Sequence, residues 1–83
     1  MRPRRTDANS RELLAALRRM GWVCIPTHEL RNFVDIMACR AGQVRLIELK
    51  TDRGKLTASQ ERLIDEGWPI HLVRTVEDCE ALR

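Results

Sequence analysis

Residues 33–50 read FVDIMACRAGQVRLIELK, two apolar runs on either side of Ala41-Gly42. Side chains alternate between the two sides of a strand, so this pattern predicts a β-hairpin with strands over 33–40 and 43–51. A two-residue loop at Ala41-Gly42 sets the register: Arg40 faces Gln43, and Asp35 faces Glu48. One side then carries Phe33, Asp35, Met37, Cys39, Val44, Leu46, Glu48 and Lys50. Like charges directly opposite each other destabilise a sheet. A half-buried carboxylate pair needs something cationic between its members. A divalent metal and the Lys50 ammonium both meet that need. A three-residue loop would shift the register and part the two acids.

Outward from the hairpin, the chain alternates periodicities. Residues 7–20 fit a helix, with Ser10, Leu13, Leu14, Leu17 and Met20 on one stripe. Gly21 is a natural stop. Residues 22–27 form a short apolar strand closed around Pro26, and 28–32 a polar connection. A charged turn over 52–55 surrounds Gly54. Thr57-x-x-Gln60 is a capping-box signature for a helix over 58–66, and Gly67 ends it. Residues 69–74 form a fourth strand. Thr75 caps a last short helix over 76–82. The order αβββαβα predicts an α/β domain, a four-stranded mixed sheet flanked by helices.

With 83 residues and a formal charge of +3, the chain has room for one domain with one modest core. The basic excess suits a polyanion partner. Part of it sits at residues 1–6, where Arg2, Arg4 and Arg5 surround Pro3. That segment reads as a flexible basic arm that either grips phosphates or is simply solvated. Aromatic content is 4%, with no Tyr, which argues against a stacking platform for single strands. Cys24, Cys39 and Cys79 have no paired spacing and, with His28 and His71, complete no zinc pattern. All three are expected as buried, reduced thiols. No signal peptide and no apolar run near a membrane span is visible, so a cytoplasmic setting without membrane contact is expected.

Phosphodiester hydrolysis requires an activated water, neutralised phosphate charge and a stabilised leaving oxygen. A hard cation held by carboxylates can provide all three. Magnesium takes oxygen ligands, often one or two carboxylates completed by water and substrate phosphate. Asp35 and Glu48 supply two such ligands, and the main-chain carbonyl of Leu49 is a candidate third. Lys50, two residues past Glu48, projects from the same side. It could orient or deprotonate water, or stabilise the phosphorane oxyanion; a surface salt bridge to Glu48 is its bland role. Gln60 shares a stripe with Leu63, Ile64 and Gly67. It is expected to reach over the carboxylates while also closing the capping box.

Asp35, twelve intervening residues, then Glu48-Leu49-Lys50 resembles the D…(D/E)-x-K signature of the PD-(D/E)XK nucleases, whose core has the αβββαβ order read above. Gly54-Lys55-Leu56-Thr57-Ala58-Ser59-Gln60 is similar to the G-x-L-x-x-x-Q stretch that follows E-V-K in the VRR-NUC branch. The resemblance covers roughly residues 10–82. It implies a restriction-endonuclease-like core, with Asp35 and Glu48 as metal ligands, Lys50 as the catalytic lysine and Gln60 as the motif glutamine. It further implies Mg²⁺, with Mn²⁺ able to substitute, no organic cofactor, and kinship with phage-type and Holliday-junction-resolving proteins that work as homodimers. Val34 replaces the usual proline. The acid that relatives place on the first helix falls on Ser10. Helical geometry turns Glu12 toward solvent, and Asp7, one turn earlier, is the other candidate.

These readings point to a metal-dependent endonuclease on branched or duplex DNA, structure-selective rather than sequence-specific. Arg31, Arg40, Arg53, Lys55, Arg4 and Arg5 are candidate phosphate contacts. The alternative is a catalytically weak DNA-binding or accessory module on the same fold.

Overall fold

Ala41 and Gly42 both adopt left-handed backbone, with φ of 54° and 78°. Two such residues in succession form the tight turn whose twist matches that of paired strands. The turn joins β2 (Ile36–Arg40) to β3 (Gln43–Leu49), and the pairing runs from Arg40↔Gln43 to Ile36↔Ile47. This is the register expected from a two-residue loop. The computed structural model describes residues 7–51 and 53–82, the side chains of Asp7 and Ala8 excepted. The basic arm over 1–6, with Arg4 and Arg5, lies outside the described residues.

The described residues form three helices and one mixed sheet in the order β1-β2-β3-β4. β1 (Val23–Pro26) pairs antiparallel with β2. β4 (Ile70–Val73) pairs parallel with β3, setting Glu48 beside Leu72. A parallel pair needs a crossover, and α2 (Ala58–Asp65) provides it. Thr57 and Gln60 close the expected capping box on α2, and Thr75 with Asp78 closes another on α3 (Val76–Glu80). These caps satisfy amide donors that a helix start leaves unpaired. None of the helices among the described residues is long and apolar enough to cross a membrane.

α1 (Asp7–Arg19) places Leu13, Ala16 and Leu17 against Ile36, Ala38, Ile47, Leu49 and Val73, with Cys79 and Leu82 completing the core. The even-numbered residues of β2 and the odd-numbered end of β3 therefore face α1 and α3. The side holding Asp35 and Glu48 is the other one. Arg40 differs from its expected role as a phosphate contact. Its guanidinium lies 4.4 Å from the Trp22 ring centre and donates to the Met20 and Leu82 carbonyls. Stacking and two carbonyls hold it to the core edge. Cys39 also departs from expectation: it is exposed, while Cys24 and Cys79 are buried, and all three are free thiols. The hairpin register turns Cys39 to the side that the core helices do not cover.

Ala41 pays a steric penalty in left-handed backbone that Asn tolerates better. Ala41→Asn should raise the unfolding free energy by about 0.5–1 kcal/mol, read as a higher urea midpoint at unchanged slope.

Candidate active site

Three hydrogen bonds fix Asp35 just ahead of β2. Its N–H donates to the Ile47 carbonyl at 3.2 Å, and its own carbonyl accepts from the Thr27 N–H at 2.6 Å. Its carboxylate Oδ2 accepts from the Leu49 N–H at 3.0 Å. The Thr27 hydroxyl adds a bond to the Val34 carbonyl at 2.8 Å. The end of β1 thus grips the segment that carries the acid. Main-chain anchoring of this kind holds a side chain more precisely than packing alone.

Glu48 is 4% exposed. Its Oε2 pairs with the Lys50 Nζ at 2.9 Å, while its Oε1 is buried without a hydrogen-bond partner. Burial pushes the Glu48 carboxyl up from its ordinary value. The Lys50 ammonium pulls against that shift, the charge of Asp35 adds to it, and the Gln60 amide opposes it. The charge of Asp35 reaches the Glu48 carboxyl, which sets the two acids in one site. The Leu49 N–H points toward Asp35, and strand geometry turns the Leu49 carbonyl to the same side. Asp35, Glu48, Lys50 and the Leu49 peptide are therefore brought together.

Gln60 is buried on α2. Its Oε1 accepts from the Thr57 N–H and its Nε2 donates to the Phe33 carbonyl, each at 3.0 Å. One side chain caps α2 and ties it to the segment leading into Asp35. Gln60 caps its helix as expected, and its side-chain amide also bears on the Glu48 carboxyl. Phe33 in turn meets Trp68 edge-on, with ring centres 5.9 Å apart.

Gly54 has a role that its place in a charged turn does not reveal. A Cβ built there would come within 3.0 Å of the Lys50 Cδ and 3.1 Å of its Cβ. The turn backbone rests on the aliphatic stem of Lys50 and restricts where its ammonium can go. Thr27 carries no sequence signal beyond its position at the strand end. Arg31, Arg53 and Lys55 are exposed, as phosphate contacts must be. Glu12 is exposed and Ser10 half-buried, in accord with the helical-stripe argument. No group of three or more His, Cys, Asp or Glu side chains able to hold a metal occurs among the described residues.

The donor set suits a hard divalent cation: two carboxylates, one with an unpartnered oxygen, beside a main-chain carbonyl. Nitrogen and sulfur ligands, which softer metals prefer, are absent from this set. Comparisons with family models, curated proteins and solved structures return no match.

Because the folded-state pKa of Glu48 is raised, the folded chain holds this proton more tightly than the unfolded one. Its contribution is most favourable below the ordinary value of 4.5 and is lost as pH rises through the folded value. Glu48→Gln removes that loss. The melting temperature of Glu48→Gln relative to wild type should rise across this window and then level off. A difference that is flat with pH would contradict the burial argument.

Proposed function

We propose that this chain is a metal-dependent endonuclease that hydrolyses phosphodiester bonds in branched or duplex DNA, on a restriction-endonuclease-like core of the VRR-NUC type. The observation that carries the reading is the Glu48 carboxylate, buried with one oxygen unpartnered, beside a firmly anchored Asp35 and a paired Lys50. A protein that needed only stability would gain by replacing such a charge with an apolar side chain. An ion site explains why the charge is kept.

In this reading Asp35 and Glu48 hold Mg²⁺ or Mn²⁺, with the Leu49 carbonyl as a third oxygen ligand. The bound ion supplies Lewis-acid polarisation of the phosphate and a more acidic water. Asp35 keeps its orientation because the Leu49 N–H fixes one carboxylate oxygen. Lys50 exchanges its bond to Glu48 for the scissile phosphate or the attacking water, where its positive charge favours the phosphorane over the ground state. Gln60 holds α2 to the approach of Asp35, keeping the acids in register. Arg31, Arg53 and Lys55 bind backbone phosphates, an interaction that weakens steeply with salt. Arg4 and Arg5 extend that grip on the amino-terminal side.

One observation favours the rival reading, a weak or inactive DNA-binding module. Glu12 is exposed, and no third acid joins the pair among the described residues.

Nicking of supercoiled plasmid and cleavage of a four-way junction separate the two readings. Wild type should cut with Mg²⁺ or Mn²⁺ and stop on chelation. Asp35→Asn and Glu48→Gln should lose at least about 100-fold in rate while keeping their circular dichroism. DNA retention without cutting, unaltered by these substitutions, would establish the binding module instead. In the absence of DNA, Mg²⁺ should raise the melting temperature of wild type and leave Asp35→Asn unmoved.

A further inference from the structure

Trp68 combines a fixed backbone with an open ring. Gly67, just past the end of α2, takes left-handed backbone with φ of 107°. The Trp68 N–H then donates to the Leu63 carbonyl at 3.0 Å, and the Trp68 carbonyl accepts from the Ile70 N–H at 3.1 Å. Pro69 between them restricts the chain further. The indole is nonetheless 44% exposed, whereas the other tryptophan, Trp22, is 2% exposed. Phe33 supports the Trp68 ring, the two planes meeting at 83°. An edge-on pair leaves each ring at least one face that its partner does not cover. Phe33 is itself tied down, its carbonyl accepting from the Gln60 Nε2. A large flat apolar surface is thus held rigid and left in water.

We propose that this ring pair stacks on an unpaired nucleobase beside the acidic site and so selects branched or flapped DNA over intact duplex. The proposal rests on the nuclease reading and gives its structure selectivity a physical source. Three observations select a base as the occupant. Phe33 is two residues from Asp35, at most about 7 Å along the chain, so the rings lie within reach of nucleotides flanking a phosphate held at the acids. Gln60 joins the two places, bonded to the Phe33 carbonyl while its amide bears on the Glu48 carboxyl. Arg31, two residues before Phe33, is exposed and offers a cation to the phosphate of the same strand. Within a duplex both faces of a base are covered by its neighbours, so only an unpaired or extruded base presents a face to the indole. Such stacking tolerates any base, in keeping with recognition of shape rather than sequence. A chain with two Trp, one Phe and no Tyr cannot line a strand with rings, but one rigid ring is enough at a branch point. The fixed backbone lowers the ordering cost of binding.

Tryptophan fluorescence titration in chelator at fixed salt tests this without any strand being cut. One arm is an intact hairpin duplex, the other the same duplex with a short oligothymidine flap. The flap should quench wild-type emission more than the duplex does. That quenching should vanish in Trp68→Leu, because Trp22 is buried. With unchanged circular dichroism, Trp68→Leu should bind the flap about tenfold more weakly and the duplex as wild type does. Trp68→Phe, which keeps an aromatic plane, should recover most of the loss. Equal weakening on both DNAs, or flap binding by Trp68→Leu equal to that of wild type, overturns the proposal and leaves the nuclease reading standing. Wild-type DNA binding without quenching also overturns it and assigns the rings to a protein partner. A chain that binds neither DNA sinks the nuclease reading along with it.

Discussion

The pairing of β2 with β3 is the constraint on which the rest depends, because a sheet side chain has only two directions to point. A slip of one residue would carry Glu48 into the space where Ile47 packs on α1 and α3, and would turn Ile47 out beside Asp35. The core and the acidic site would both be lost. Ala41 and Gly42 guard against that slip with left-handed backbone at two successive positions. Ile36, Ala38, Ile47 and Leu49 guard against it from the other side, since they fill the core only in this register. Turn and core agree, and agreement between local and global preferences makes one structure dominate.

Within that frame Glu48 is a locally unfavourable choice. A carboxylate taken out of water is stabilised by a counter-ion and by hydrogen bonds to its remaining lone pairs. Lys50 provides the first at Oε2; Oε1 has no partner. The neighbouring charge of Asp35 makes matters worse, and both effects push the carboxyl toward its protonated form. The surroundings of Asp35 hold it in place. Its backbone and one carboxylate oxygen are held by Thr27, Ile47 and Leu49. Firm anchoring and electrostatic discomfort in adjacent acids is the pattern expected where binding, not stability, has set the residues.

Much of this was legible in the sequence. Alternation across 33–50 and the short Ala41-Gly42 loop gave the register, and with it the meeting of Asp35, Glu48 and Lys50. Thr57-x-x-Gln60 marked the start of α2 through hydrogen bonds that span three residues. Contacts between distant segments were not legible. Nothing near Arg40 says that its guanidinium will lie on Trp22 and reach the Leu82 carbonyl, since stacking between segments leaves no periodic trace. Gly54 read as a turn residue, and its contact with the Lys50 stem depends on how the loop folds back. Residue type alone places Cys39 in the interior, whereas the sheet register turns it outward. Residue type reports an average environment; the register reports the particular one.

The hydrogen bond from the Leu49 amide to the Asp35 carboxylate extends the sheet by one rung in which a side chain replaces the main chain. That rung carries a charge, unlike every peptide-to-peptide link below it. Whatever binds either carboxylate oxygen of Asp35 draws electron density from the Oδ2 that accepts the Leu49 proton. The resonance and solvent exchange of this single amide are therefore wired to the electrostatic state of the site, a spectroscopic gauge already present in the backbone.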